Sequence, residues 1–332
     1  MLIAAALLVG IAVLSKAADQ FVEGAARLAV MLKVSPIVVG AVIVGFGTSA
    51  PEMVVSGIAA TAGDDDVGIG NIIGSNLANL SLILGAAALV VPLTIDRRVL
   101  KKELPLATAA ALVFAALLVA GDGISTPDAV VFIVLLGASL TYLLMGDGAD
   151  DSITSEVEEI AGDGDHSLSG ESIRTLIGLV GTVGGAWLLV WGATSLADEL
   201  GINGGFVGVT LVAIGTSLPE LVTAIAAARQ KQTDLIVGNL LGSNLFNSFA
   251  VGAVLGFLGN GTVTDSSLTG LDLYFMLAVC GLAGIAMLTR SLISRVEGTI
   301  VLSVFFIWLV ATWLDENKET AETLVDVVRS LV

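Results

Sequence analysis

The 332-residue chain holds one cysteine, one histidine and charged residues at only 14% of its positions. A lone Cys280 excludes an intrachain disulfide and a thiolate metal cluster. Set within an apolar run, it reads as a small core residue. The one histidine, His166, lies in an acidic polar stretch with no second histidine or cysteine nearby, and reads as solvated. No histidine falls in an apolar segment and no GxSxG occurs, which argues against an intramembrane hydrolase. A soluble domain carries about 25% charged residues. The shortage here, with 55% apolar residues, excludes a water-soluble core and shell. Basic residues are scarce as well: 14 Lys and Arg stand against 31 Asp and Glu, a net charge of −17 that excludes nucleic acid as a partner.

What is abundant is long apolar sequence, with a mean hydropathy of +0.96. Runs of about 20 residues are long enough to cross a hydrocarbon layer as helices. Lipid forces the backbone to satisfy its hydrogen bonds within the segment, and the runs do not alternate as barrel strands do. Ten segments are expected, at 2–31, 34–62, 67–91, 104–120, 126–146, 173–197, 205–228, 234–258, 271–289 and 298–314. Residues 2–14 resemble a signal-peptide core. No basic residue precedes them and the apolar pattern continues past Lys16, so they read as the start of a retained helix.

Nine carboxylates, from Asp147 to Glu171, fill the stretch 147–171, which contains no Lys or Arg. It reads as a solvated acidic linker, because the acids lack the spacing and turn glycine of an EF-hand loop. The charges also orient the chain. With the N-terminus outside, the inner connections and boundaries carry Arg27, Lys33, Arg97, Arg98, Lys101, Lys102, Arg174, Arg229, Lys231, Arg290 and Arg295. The outer connections carry Asp64, Asp65, Asp66, Asp122, Asp198, Glu199 and Asp265 and no basic residue. Both termini are then outside the cell membrane and the 147–171 linker is cytoplasmic.

A repeat stands at a fixed offset. GFGTSAPE at 45–52 aligns with AIGTSLPE at 213–220, and GNIIGSNLAN at 70–79 aligns with GNLLGSNLFN at 238–247, without a gap between the pairs. The fold class expected is therefore an all-α polytopic membrane protein of ten transmembrane helices in two five-helix repeats. The divisions are 1–146, the linker 147–171, 172–314 and an acidic tail 315–332. Five is odd, so the second repeat enters the membrane from the opposite side. Inverted repeats of this kind place their sites at the repeat interface near the midplane.

Glu52 and Glu220 lie inside apolar segments at equivalent positions of the two repeats. A carboxylate there costs ~2.5–3.5 kcal/mol on insertion scales, so a repeated one points to function. Each follows a proline, Pro51 or Pro219, which removes an intrahelical hydrogen bond. Gly47 and Gly215 loosen the same turns, so carbonyls around Thr48 and Thr216 are expected to be freed towards a cation. Two carboxylates with neutral oxygens suit Ca2+, which takes roughly six to eight oxygen ligands, better than Mg2+, which holds its waters. Ser75, Asn76 and Asn79, repeated as Ser243, Asn244 and Asn247, add neutral oxygens suited to Na+. Ser75 and Asn79, like Ser243 and Asn247, share one helix face. Gly74 and Gly242 are expected to permit close helix approach.

GTSAPE with GNIIGSNLAN, repeated as GTSLPE with GNLLGSNLFN, resembles the two alpha-repeats of the cation/calcium antiporter superfamily, most of all prokaryotic sodium/calcium exchangers. The likeness covers nearly the whole chain. It implies a diamond of four sites between helices 2, 3, 7 and 8. Ca2+ would be held by the side chains of Glu52 and Glu220 and the carbonyls of Thr48 and Thr216. Na+ would use Ser49, Ser75, Ser217 and Ser243 with the carbonyls of Gly45 and Ala213, and the central position would lie near Asn79 and Asn247. Some relatives have Asp where Asn247 stands, which argues against K+ dependence here. No cofactor and no protein partner are implied; the substrates would be Ca2+ and Na+ in a lipid bilayer. The competing readings are a proton/calcium antiporter, which the neutral flanking oxygens disfavour, and a passive cation channel, which the inverted repeat disfavours.

Overall fold

The computed structural model describes residues 2–31, 45–95, 97, 99–144, 167–201, 204–229, 233–259 and 261–316. His166 and most of the acidic linker lie outside them. The first half comprises α1 (Leu2–Met31), α2 (Gly45–Ala62), α3 (Asp65–Val90), α4 (Val99–Ala120) and α5 (Thr126–Leu144). The second comprises α6 (Leu168–Leu200), α7, α8 (Leu218–Arg229), α9, α10 (Leu271–Arg290) and α11 (Arg295–Glu316). Here α7 runs through Gly204–Val207 and Gly208–Val212 to Ala213–Thr216, and α9 through Thr233–Phe246 and Asn247–Val251 to Gly252–Leu258.

The repeat offset, Glu52 to Glu220, reappears in the backbone. A π-helical turn at Asn79–Ile83 interrupts α3, and one at Asn247–Val251 interrupts α9, each beginning at the last Asn of its GSN motif. The inversion is visible where α1 meets its counterpart α6. Leu7 packs at Gly192, Leu14 at Gly185 and Phe21 at Gly178, so the two helices run antiparallel. Their contact is backbone to backbone: a Cβ on Gly185 would stand 2.5 Å from the nitrogen of Leu14. Small residues at a helix crossing in lipid allow this approach, where dispersion rather than hydrophobicity holds helices together.

Eight helices among the described residues are long and apolar enough to cross a bilayer: α1, α3, α4, α5, α6, α9, α10 and α11. The two expected segments not among them, 34–62 and 205–228, are those that carry the glutamates. In the first, residues 34–44 lie outside the described residues. The second is interrupted at Ser217, between α7 and α8. The expectation of loosened backbone in both halves is met in one. Pro219 has no N–H to give the carbonyl of Gly215, and the ladder resumes only with Leu221 donating to Ser217 O at 3.1 Å. Around Pro51 the helix Gly45–Ala62 is continuous. There the proline deprives Gly47 O of its partner, while Thr48 keeps its place in the ladder opposite Glu52.

The two ends of the bundle differ in charge. At one end a two-residue antiparallel ladder joins β1 (Leu93–Thr94) to β2 (Leu292–Ile293), with Arg97, Lys101, Lys102, Arg290 and Arg295 close in sequence. At the other, Asp66 accepts hydrogen bonds from Thr264 and Asp265. Cys280 is buried within α10, as a core residue should be.

One residue of the expected linker is misplaced by the sequence reading. Ser167 caps α6 by accepting from Gly170 N at 3.1 Å, so the helix starts at Leu168 and takes Glu171 with it. Glu171 is buried, pairing with Arg27 of α1 at 3.3 Å and with Arg174 at 3.8 Å, while Arg174 reaches Glu23 at 2.9 Å. Glu171 is thus a tie between α1 and α6, because Arg27 and Arg174 leave no other neutralisation for a carboxylate at that crossing. Glu171→Gln is expected to lower the melting temperature in detergent. Breaking a fully buried pair costs ~3–5 kcal/mol; with Glu23 still beside Arg27, about 1–2 kcal/mol is expected. An unchanged melt would mean that Glu171 is solvated after all.

Candidate functional site

Every described side chain of the repeated motifs turns inward. Glu52 is 2% exposed and Glu220 4%, which decides that both face protein rather than lipid. Ser49 comes from α2, Ser75 and Asn79 from α3, Thr216 from α7, Ser217 from the break, and Ser243 and Asn247 from α9; all are buried. Ala213 is buried at the start of the last segment of α7, which carries its carbonyl into the same region. Gly45 and Thr48 lie on the α2 backbone, and the description of Thr48 ends there. The Glu52 carboxyl faces the hydroxyls of Thr216 and Ser217, and Glu52 and Glu220 are within electrostatic reach of each other. The two repeats therefore bring their glutamates together, as inverted halves meeting at a midplane should.

Amide groups brace the helices around this pair. Asn71 Nδ2 donates to Ser56 Oγ at 3.0 Å and to Glu52 O at 3.4 Å, while its Oδ1 accepts from Thr216 Oγ1 at 3.1 Å. One side chain of α3 thereby ties α2 to α7. Across the centre, Asn79 Nδ2 donates to Asn244 Oδ1 at 2.9 Å, and Asn244 Nδ2 donates to Asn76 O at 3.1 Å. Asn76 Nδ2 reaches Ser248 Oγ at 3.0 Å. The donors are spent on these bonds, and oxygens are left over. Ser49 Oγ, Ser217 Oγ, Glu52 Oε2, Glu220 Oε2, Asn76 Oδ1, Asn79 Oδ1 and Asn247 Oδ1 are buried without a hydrogen-bond partner. A buried acceptor without a donor is costly. Seven in one region, with no Lys or Arg pairing either glutamate among the described residues, form an acceptor-rich cage that a cation would complete. Among the described residues no three His, Cys, Asp or Glu converge to hold a metal. The chemistry available is two carboxylates and neutral oxygens.

Two expectations need correction. Gly74 does permit close approach, since a Cβ there would lie 2.2 Å from Val209 O of α7. At Gly242 no described residue comes within 4 Å of the Cβ position, so the repeat does not duplicate that contact. The sequence reading also passed over Asn71, although it stands four residues before Ser75 and eight before Asn79, on the same helix face. That periodic polar stripe was the available signal.

Asn71→Leu keeps the volume but leaves the hydroxyls of Ser56 and Thr216 without their shared partner. A loss of about 1–3 kcal/mol per unsatisfied group is expected, read as a melting temperature several degrees lower, by about the ratio that applies to large domains. An unchanged melt would show that the bridge carries nothing.

Comparison with known proteins follows the same two halves. The family model described as sodium/calcium exchanger protein matches residues 2–145 and 173–314. A putative antiporter, CaxA, of Alkalimonas amylolytica is 34% identical over 90% of this chain and 94% of its own length. The sodium/calcium exchanger MaX1 of Methanosarcina acetivorans is 31% identical over 92% of this chain and 96% of its own length. Among solved structures, the sodium-calcium exchanger NCX_Mj soaked with 100 mM Na+ and 10 mM Sr2+ superposes with a TM-score of 0.61 at 28% identity, covering 92% of this chain and 97% of that one. With both halves matched and relatives aligned along nine-tenths of its length or more, the chain belongs to the sodium/calcium exchanger family.

Proposed function

We propose that this protein exchanges Na+ for Ca2+ across the cell membrane by alternating access, exposing one shared site to each side in turn. The observation that carries the reading is the pair Glu52 and Glu220, both buried, each with an unpartnered Oε2, and surrounded by neutral oxygens. Membership of the exchanger family and the printed role of MaX1 support it. Ca2+ lies between the two carboxylates and takes the carbonyls of Thr48 and Thr216. Na+ ions take the flanking positions, with Ser49, Ser75, Ser217 and Ser243 and the carbonyls of Gly45 and Ala213; Asn79 and Asn247 supply the centre. Residues 1–146 and 172–314 act as the two repeats. The termini face outward, and the 147–171 stretch, apart from the buried Glu171, faces the cytoplasm.

Coupling follows from charge. Two carboxylates supply about −2, which one Ca2+ or a set of Na+ ions neutralises, and the two cargoes compete. Carrying the site across empty leaves two bare carboxylates in a low dielectric, which is costly enough to suppress uncoupled return. A protein that moves only when loaded is an exchanger.

In proteoliposomes, an outward Na+ gradient is expected to drive Ca2+ uptake without K+. Uptake driven by a pH gradient and indifferent to Na+ would make the protein a proton/calcium antiporter instead. Glu52→Gln and Glu220→Gln are each expected to abolish exchange while the protein stays folded. A unit charge at about 4 Å in an effective dielectric of about 20 is worth about 4 kcal/mol, so a loss of Ca2+ affinity of ~100-fold or more is expected from either. Glu158→Gln, in the acidic stretch, is the control and transports normally. Near-normal affinity in either helix variant would remove that glutamate from the site.

A further inference from the structure

The outer end of α7 carries a second concentration of acid that the buried site does not use. Asp64 ends the α2–α3 connection and Asp198 lies in the last turn of α6; the two are within electrostatic reach of each other, with Asp65 and Asp66 following. Burial first, then the charges of Asp198, Asp65 and Asp66, hold the Asp64 carboxyl above the usual carboxylate range. No Lys or Arg occurs in the connections that form this end.

Asp265 supplies an independent observation. It is 8% exposed, and its N–H donates to Asp66 Oδ2 at 3.1 Å while its Oδ1 accepts from Ser267 N at 2.8 Å. Its Oδ2 is buried, has no partner and is turned towards the first turn of α7. Only a residue without a side chain admits it there: a Cβ on Gly205 would stand 2.0 Å from that oxygen. An unpaired carboxylate oxygen is thus held at the outer end of the helix that descends to Thr216 and Glu220. At 1.5 Å per residue, Gly205 stands about 16 Å along α7 from Thr216.

We infer that the outer end of α7, lined by Asp64, Asp66, Asp198 and Asp265, is a recruiting vestibule that gathers hydrated metal cations before they descend to the buried pair. The inference rests on the proposed cation exchange, and it adds where the cation is first held. No three of these carboxylates converge closely enough for direct coordination among the described residues. Attraction therefore acts through the ion's hydration shell, so it is weak, indifferent to the identity of the metal and sensitive to salt. The Debye length is about 8 Å at physiological ionic strength, so the vestibule acts on ions at the mouth and leaves the deep site's own affinity unaltered. A cleft of one sign raises local counter-ion concentration and the rate of arrival.

The test uses a fluorophore on a Thr262→Cys protein. Thr262 is exposed at this end, and the only native cysteine, Cys280, is buried. Quenching by Co2+ reports the local density of divalent cations, and quenching by neutral acrylamide reports accessibility alone. In low salt the Co2+ quenching slope is expected to fall several-fold when Asp64→Asn and Asp198→Asn are added. The acrylamide slope should stay the same, and the Co2+ difference should vanish in about 0.5 M KCl, where the Debye length shrinks to a few ångströms. An unchanged Co2+ slope in low salt, or a parallel change with acrylamide, overturns the inference. In vesicles presenting this face, the same pair of substitutions is expected to raise half-saturating Ca2+ several-fold in low salt with maximal exchange unchanged. Absence of exchange by the parent protein would sink the proposed function, and the quenching comparison would still decide the vestibule.

Discussion

Two carboxylates share one low-dielectric space with no basic residue to neutralise them, and the rest of the molecule is arranged around that unfavourable fact. Burying a carboxylate without a partner costs several kcal/mol even after relaxation. Neither Glu52 nor Glu220 escapes to lipid or solvent, because α2, α3, α7, α8 and α9 close over them. A cation is the missing partner, and the unpartnered oxygens of Ser49, Ser217, Asn79 and Asn247 are placed to share it. Selectivity, competition between cargoes and suppression of empty return all descend from the same electrostatic demand.

The inverted repeat is the cheapest way to meet that demand with one short motif. Each half contributes one glutamate, and antiparallel halves meeting at their midpoints place the two together. The halves are not copies in detail. The helix is continuous at Pro51 and broken at Ser217 beside Pro219; Gly74 is pressed on Val209, whereas Gly242 has no described neighbour at its Cβ position. Asn244 bonds to Asn76 O and receives Asn79, while Asn76 turns to Ser248. Two inequivalent halves built from equivalent sequences are what alternating access requires, since each half must adopt both arrangements in turn. The ion-paired crossing of Arg27, Glu23, Arg174 and Glu171 ties α1 to α6 at the basic end, outside this core.

Membrane residence, the repeat and its inversion were legible because they rest on composition, periodicity and an odd helix count. The glutamates were legible because a charge in an apolar run is rare enough to stand out. What the sequence concealed depends on tertiary contact. Asn71 looks like one more amide until α2 and α7 are seen on either side of it. Glu171 sits among eight other carboxylates of 147–171 and only the packing of α6 on α1 gives it two arginines. The seventh segment, 205–228, reads as one apolar run, and its break at Ser217 follows from where Pro219 withdraws a hydrogen bond. Gly74 and Gly242 are identical in their local sequence, so nothing local distinguishes the contacts they make.

The central claim is that one pair of carboxylates serves both cargoes. Isothermal titration of the detergent-purified protein with Ca2+, repeated at rising Na+ with ionic strength held constant by choline, tests it most directly. The account requires one Ca2+ per chain at the buried site, with apparent affinity falling steadily as Na+ rises and the stoichiometry unchanged. Ca2+ affinity that is indifferent to Na+ would mean that the two ions occupy separate sites, and the shared pair of Glu52 and Glu220 would not be the basis of exchange.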